Sequence, residues 1–90
     1  MFVWDKSKRQ NVIETHRVDF ALILDVFDDA FGIYSEDTKH SEDEIRYSVT
    51  GLTAEYGLIF AVFTYTDKNE VRLITARRAE KWMVKQYEKR

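Results

Sequence analysis

Three arginines, Arg46, Arg72 and Arg77, and two histidines, His16 and His40, are the side chains whose types and placement point to chemistry in this sequence. A guanidinium is permanently charged and aims two parallel N–H donors at one phosphate, so arginines raised on neighbouring strands form a phosphate clamp when their faces agree. Neighbouring strands lie about 4.8 Å apart, within reach of two such side chains. An ion pair with Asp or Glu is the alternative use of each arginine. The histidines are the groups whose unperturbed pKa lies near neutrality. His16 falls where a helix should end, a place that favours the imidazolium but equally suits a structural cap or an interhelix contact. His40 lies in an acidic, solvated stretch.

Other chemistries lack their signatures. There is no Gly-rich phosphate loop, no His-x-Glu or paired-His metal motif and no G-x-S-x-G elbow, which sets aside the nucleotide-binding and hydrolase families those motifs define. The absence of cysteine removes disulfides, thiolate metal sites and cysteine nucleophiles together, and fits a reducing compartment. The first ten residues, MFVWDKSKRQ, form no apolar signal segment. The longest apolar run, Leu58 to Phe63, falls far short of the roughly 20 residues of a membrane helix. A soluble cytoplasmic protein with no membrane association is expected.

The net charge of −2 hides a strong asymmetry. Residues 1–18 set four cations against two carboxylates, residues 19–44 set nine carboxylates against Lys39, and residues 45–90 set nine cations against five carboxylates. The middle is acidic and both ends are basic, so one surface should attract anions while another repels them.

The elements that must position these residues follow from pattern. Ninety residues make one domain, spanning 1–90. Phe2-Val3-Trp4 reads as a short strand and Asp5 as the N-cap of a helix from Lys6 to His16. Asp19 caps a second expected helix, with Phe20, Ile23, Leu24 and Phe27 on one face. After a polar loop with a possible short strand at Gly32–Ser35, Ile45, Tyr47 and Val49 alternate with polar neighbours. Leu58 to Phe63 reads as a central strand covered on both faces. Asn69 suits a positive φ in the turn before Val71, Leu73 and Thr75 alternate again. A closing helix, about Arg77 to Lys89, should bury Ala79, Trp82, Met83 and Tyr87. Tight turns imply an antiparallel meander without parallel crossovers, in an α+β fold whose N-terminal helices and C-terminal helix pack on the sheet.

Several motifs occur together and in order: Trp4-Asp5-x-x-Lys8-x-x-Asn11; His16-x-Val18-x-Phe20; Val26-Phe27-Asp28-Asp29; Glu44-x-Arg46 with Gly51 five residues on; and Val71-Arg72-Leu73-Ile74-Thr75-Ala76-Arg77 with Ala79 and Glu80. In this the chain closely resembles the BrnT family of small bacterial toxins. It departs where the family usually reads Lys-His-Gly-Val, here Thr15-His16-Arg17-Val18, and at Leu58, where an arginine is common. The resemblance implies a fold related to the RelE ribonucleases and RNA cleavage without a metal or other cofactor. It also implies inhibition of translation and neutralisation by a BrnA antitoxin, whose ribbon-helix-helix part would make the only contact with DNA.

The implied reaction is attack of an RNA 2′-hydroxyl on the adjacent phosphate. It needs cations on the transition state and groups to move protons. On this resemblance Arg46 and Arg77 would stabilise transition-state charge, Lys8 and Arg72 would position phosphate, and His16 would transfer a proton. Glu80 would orient Arg77 or act as base. The alternative is a catalytically degenerate relative that serves as a protein-binding module.

Overall fold

The computed structural model describes residues 1–37 and 44–89, so His40, Glu42 and Asp43 lie outside the described residues. The chain runs β1 (Phe2–Trp4), α1 (Lys6–His16), two 3-10 helices (Phe20–Leu22 and Leu24–Asp28), β2 (Ile33–Glu36), β3 (Tyr47–Thr53), β4 (Gly57–Tyr65), β5 (Val71–Arg78) and α2 (Lys81–Lys89). The strands form one sheet in the order β1-β5-β4-β3-β2, with β4 central as its unbroken apolar run requires. Val49, Ile59, Ala61, Phe63, Leu73 and Ala76 of the sheet meet Val12, Val18, Phe20, Ile23 and Val26 in one buried core. The α+β fold is thus the expected one.

Local chemistry accounts for α1. The Asp5 carboxylate accepts from the backbone N–H groups of Ser7 (2.8 Å) and Lys8 (3.2 Å), satisfying two donors that the first turn leaves unpaired. Of its side chains only Val12 is buried, so the caps matter more than an apolar face. At the other end Arg17 adopts the left-handed conformation with φ 59°, and its N–H donates to the Ile13 carbonyl. Glycine takes this conformation without a Cβ penalty. Arg17→Gly is therefore expected to raise stability by about 0.5–1 kcal/mol after allowing for glycine's extra unfolded-state entropy, read as a higher urea midpoint.

The second expected helix is instead a pair of 3-10 helices. Phe20, Ile23 and Val26 are all fully buried, and their spacing of three matches the 3-10 repeat, on which residues three apart eclipse. An α-helix would rotate one of them off the sheet. Asp19 still caps: it accepts from the Ala21 N–H (3.0 Å) while holding Arg9 by two bonds of 2.8 and 2.9 Å. The Arg9 guanidinium keeps the Asp19 carboxyl below the usual carboxylate range. A depressed folded pKa gives stability that is complete above the unfolded value near 3.9 and lost as pH falls through the folded one. Below about pH 4 the wild type should therefore lose more stability than Asp19→Asn, measured as the change in urea midpoint between pH 7 and pH 3.

The meander holds for β2 to β5, whose pairings are antiparallel, but β1 lies parallel to β5. Tight turns govern only strands adjacent in sequence. β1 reaches the open edge of β5 from the far end of the chain. It is fixed there by the Val71 N–H donating to the Met1 carbonyl (2.9 Å) and by Phe2 and Trp4 packing on Phe27 and Phe20.

The last helix also starts later than its pattern suggests. β5 continues through Arg78, so Arg77 is a strand residue, and α2 begins at Lys81. Met83 and Tyr87, one turn apart, are buried, whereas Trp82 is 60% exposed and donates through its indole N–H to Glu80. The Tyr87 hydroxyl donates to Asp29 Oδ2 (2.7 Å), which also accepts from the Leu52 N–H (2.8 Å), tying α2, the second 3-10 helix and β3 together. Gly51 permits this closeness, because a Cβ there would lie 2.8 Å from Val26 Cγ2.

Candidate active site

The sheet face opposite the core carries the candidate arginines. Arg72 pairs with Thr64 and Arg77 with Phe60 across the β4–β5 ladder. Thr64 and Phe60 are an even number of positions apart on β4 and share a face, whereas Arg72 and Arg77 are an odd number apart. A register shift resolves the mismatch: Val62 opposes Thr75 but Phe63 opposes Leu73, leaving Ile74 as an extra residue on β5. This β-bulge reverses the alternation of the strand and brings both arginines to one side. Arg46 joins them from the segment leading into β3. Its neighbour Tyr47 stacks inward on Phe63, so Arg46 points outward, beside Thr64, whose hydroxyl donates to the Ile45 carbonyl (2.6 Å).

Two cavities adjoin at the β5 bulge. One, of about 400 Å³, is lined by Asp37, Arg46, Phe60, Val62, Ile74, Thr75 and Arg77. The other, of about 490 Å³, lies between α1 and β5 and is lined by Ser7, Lys8, Asn11, Val12, Ile74 and Thr75. They share Ile74 and Thr75, the residues of the bulge. Arg46 and Arg77 therefore meet in one cavity and Lys8 occupies the adjoining one.

Carboxylates already hold the arginines in place. Arg72 Nη2 donates to Glu44 Oε1 at 2.5 Å, and Arg46 Nε lies 3.6 Å from Glu44 Oε2, so one carboxylate spans both cations. Arg77 pairs with Glu80 and its guanidinium lies over the Phe60 ring, 5.2 Å from the centroid. All of these groups are about one-third or more exposed, and ion pairs of that kind contribute about 0–1 kcal/mol. Such weak, part-exposed pairs orient the guanidinium forks at little energetic cost to any competing anion. Glu44 is absent from the sequence-derived site residues. Its spacing in Glu44-x-Arg46 was the available signal, but its bond to Arg72 depends on β3 and β5 flanking the same strand.

His16 is not brought to this cluster. It is exposed at the end of α1, about 12 Å along the helix from Lys8 at 1.5 Å per residue, and lines neither cavity. Among the described residues no group of three or more His, Asp or Glu side chains is placed to hold a metal ion, and no helix is long and apolar enough to cross a membrane.

A solved structure with this architecture is that of the Brucella abortus ribonuclease toxin, BrnT, determined at 1.1 Å resolution. The likeness has a TM-score of 0.70 and 26% sequence identity, over 90% of this chain and 99% of that one. The profile of a family described as the ribonuclease toxin, BrnT, of type II toxin–antitoxin systems matches residues 4–82. No curated protein sequence matches. The family profile and the shared fold together define a ribonuclease toxin of the type II toxin–antitoxin class. Within that class, the chain belongs to the BrnT family.

Proposed function

We propose that this toxin is a metal-independent endoribonuclease acting in the cytoplasm, where it inhibits translation by cutting RNA. The convergence of Arg46 and Arg77 on one cavity, which the β5 bulge makes possible, carries the proposal. In the reaction the RNA 2′-oxygen bonds to the adjacent phosphorus as the bond from phosphorus to the 5′-oxygen breaks. The hydroxyl proton passes to a base, and the leaving oxygen takes up a proton. Arg46 and Arg77 stabilise the charge that builds on the phosphoryl oxygens, while Arg72 and Lys8 hold flanking phosphates. Glu80 orients Arg77. DNA, lacking the 2′-hydroxyl, is spared. The antitoxin partner of the class is, on this reading, a BrnA-like ribbon-helix-helix protein through which the pair contacts DNA.

Induced expression without an antitoxin should arrest growth and lower translation within a few generations, and co-expression of the cognate antitoxin should restore both. Metabolic labelling and RNA integrity measured together give the test. Normal growth with intact RNA at confirmed soluble expression would refute the proposal and favour a non-catalytic binding module.

A further inference from the structure

Beside Lys8, the cavity between α1 and β5 carries two polar side chains, Asn11 and Thr75, that the proposed reaction does not use. Lys8, Asn11 and Val12 lie at spacings of three and four on one face of α1, opposite Ile74 and Thr75 of the bulge. The Ser7 hydroxyl is committed to Asp5 at 2.5 Å. By contrast, the Lys8 ammonium, the Asn11 amide and the Thr75 hydroxyl make no hydrogen bond or ion pair with other described residues. A cation, a side-chain amide and a hydroxyl thus line one cavity with apolar walls, Val12 and Ile74, between them. An anion alone would not require the amide or those walls. An amide presents a donor and an acceptor side by side, which matches the paired donor and acceptor on the edge of a nucleobase, while the apolar walls suit its ring.

The shared wall fixes where that base lies in the chain of RNA. Ile74 and Thr75 separate this cavity from the one that holds Arg46 and Arg77. With the scissile phosphate at the arginines, the nucleoside on one side of it falls within reach of Asn11 and Thr75, and its outer phosphate within reach of Lys8.

We infer that the α1–β5 cavity is a nucleoside subsite beside the scissile phosphate, where Asn11 and Thr75 read the edge of one base and make the toxin base-selective. The inference rests on the proposed ribonuclease reaction and adds its substrate selectivity. It assigns a role to Asn11, which neither the charge pattern nor the arginine cluster explains.

The test maps cut positions in a mixed-sequence RNA pool for the wild type, Asn11→Ala, Asn11→Asp and Thr75→Val. The readout is the ratio of cuts at the four bases on each side of the break, which does not depend on total rate. The wild type should prefer one base at one side of the cut. Asn11→Ala should weaken that preference by roughly tenfold, the size of one lost paired contact. Asn11→Asp, which exchanges the amide donor for an acceptor, should shift the preference to another base, and Thr75→Val should weaken it at the same position. Variants that remain folded by circular dichroism and keep the wild-type ratios would overturn the subsite while leaving the ribonuclease proposal standing. A wild type that leaves RNA uncut would overturn both.

Discussion

Alanine at Arg46 or at Arg77 should reduce RNA cleavage by about 10²-fold or more, the loss seen when one preorganised donor to a developing oxyanion is removed. The fold should survive either change. Both side chains lie on the outer face of the sheet, and the ion pairs they would forfeit contribute no more than about 1 kcal/mol each. Arg77→Lys should recover little activity. An ammonium keeps the charge but offers neither the planar fork that Glu80 orients nor the flat face that lies over Phe60. Single-turnover cleavage with purified variants, beside their circular dichroism spectra, decides the matter. Folded Arg46→Ala and Arg77→Ala proteins that cut at the wild-type rate would remove both residues from the site.

Phe63→Ala should have the largest effect on stability. Phe63 is 1% exposed and its ring meets Phe27, Tyr34, Tyr47 and Tyr65 at centroid distances of 5.1 to 6.2 Å, so one side chain joins the second 3-10 helix to three strands. Truncating a buried phenylalanine costs about 3–5 kcal/mol. A domain of this size has a total stability of roughly 5–13 kcal/mol at 0.05–0.15 kcal/mol per residue. At about 4 °C or more per kcal/mol, the melting temperature should fall by at least about 12 °C. A thermal scan followed by far-ultraviolet circular dichroism measures this, and a drop of only a few degrees would show that the aromatic cluster is not the hub of the core. Because Phe63 points away from the arginines, whatever Phe63→Ala remains folded at low temperature should still cut RNA.

The parts of this structure legible in the sequence are those fixed by near neighbours. Asp5 caps α1 through residues two and three positions on, and Asn69 takes φ 65° in a turn closed within five residues. The unbroken apolar run of β4 announces its central place. By contrast, residues 20–28 carry apolar side chains that fit both a period of 3.6 and a period of three, and contact with the sheet decides between them. The parallel pairing of β1 with β5 has no local sign. The candidate site was half legible: the arginines mark themselves by type, but alternation along β5 puts Arg72 and Arg77 on opposite faces. Only the slip at Ile74, set by pairing with β4, reunites them. The bond of Glu44 to Arg72 has no sign in the sequence for the same reason, since that arginine comes from another strand.

The pairing of the first strand with the last has a consequence for the order of events during synthesis. Phe2, Val3 and Trp4 are made some seventy residues before Val71, Arg72 and Leu73, the partners they pair with. The cavity between α1 and β5 likewise draws on residues 7–12 and on residues 74 and 75. A growing chain therefore holds the lining of this cavity in two unconnected pieces until β5 has been made. Contacts so distant in sequence also close late, because the intervening loop entropy must be overcome first. Until β5 is made, the nascent chain carries α1 without the strand that lines both cavities.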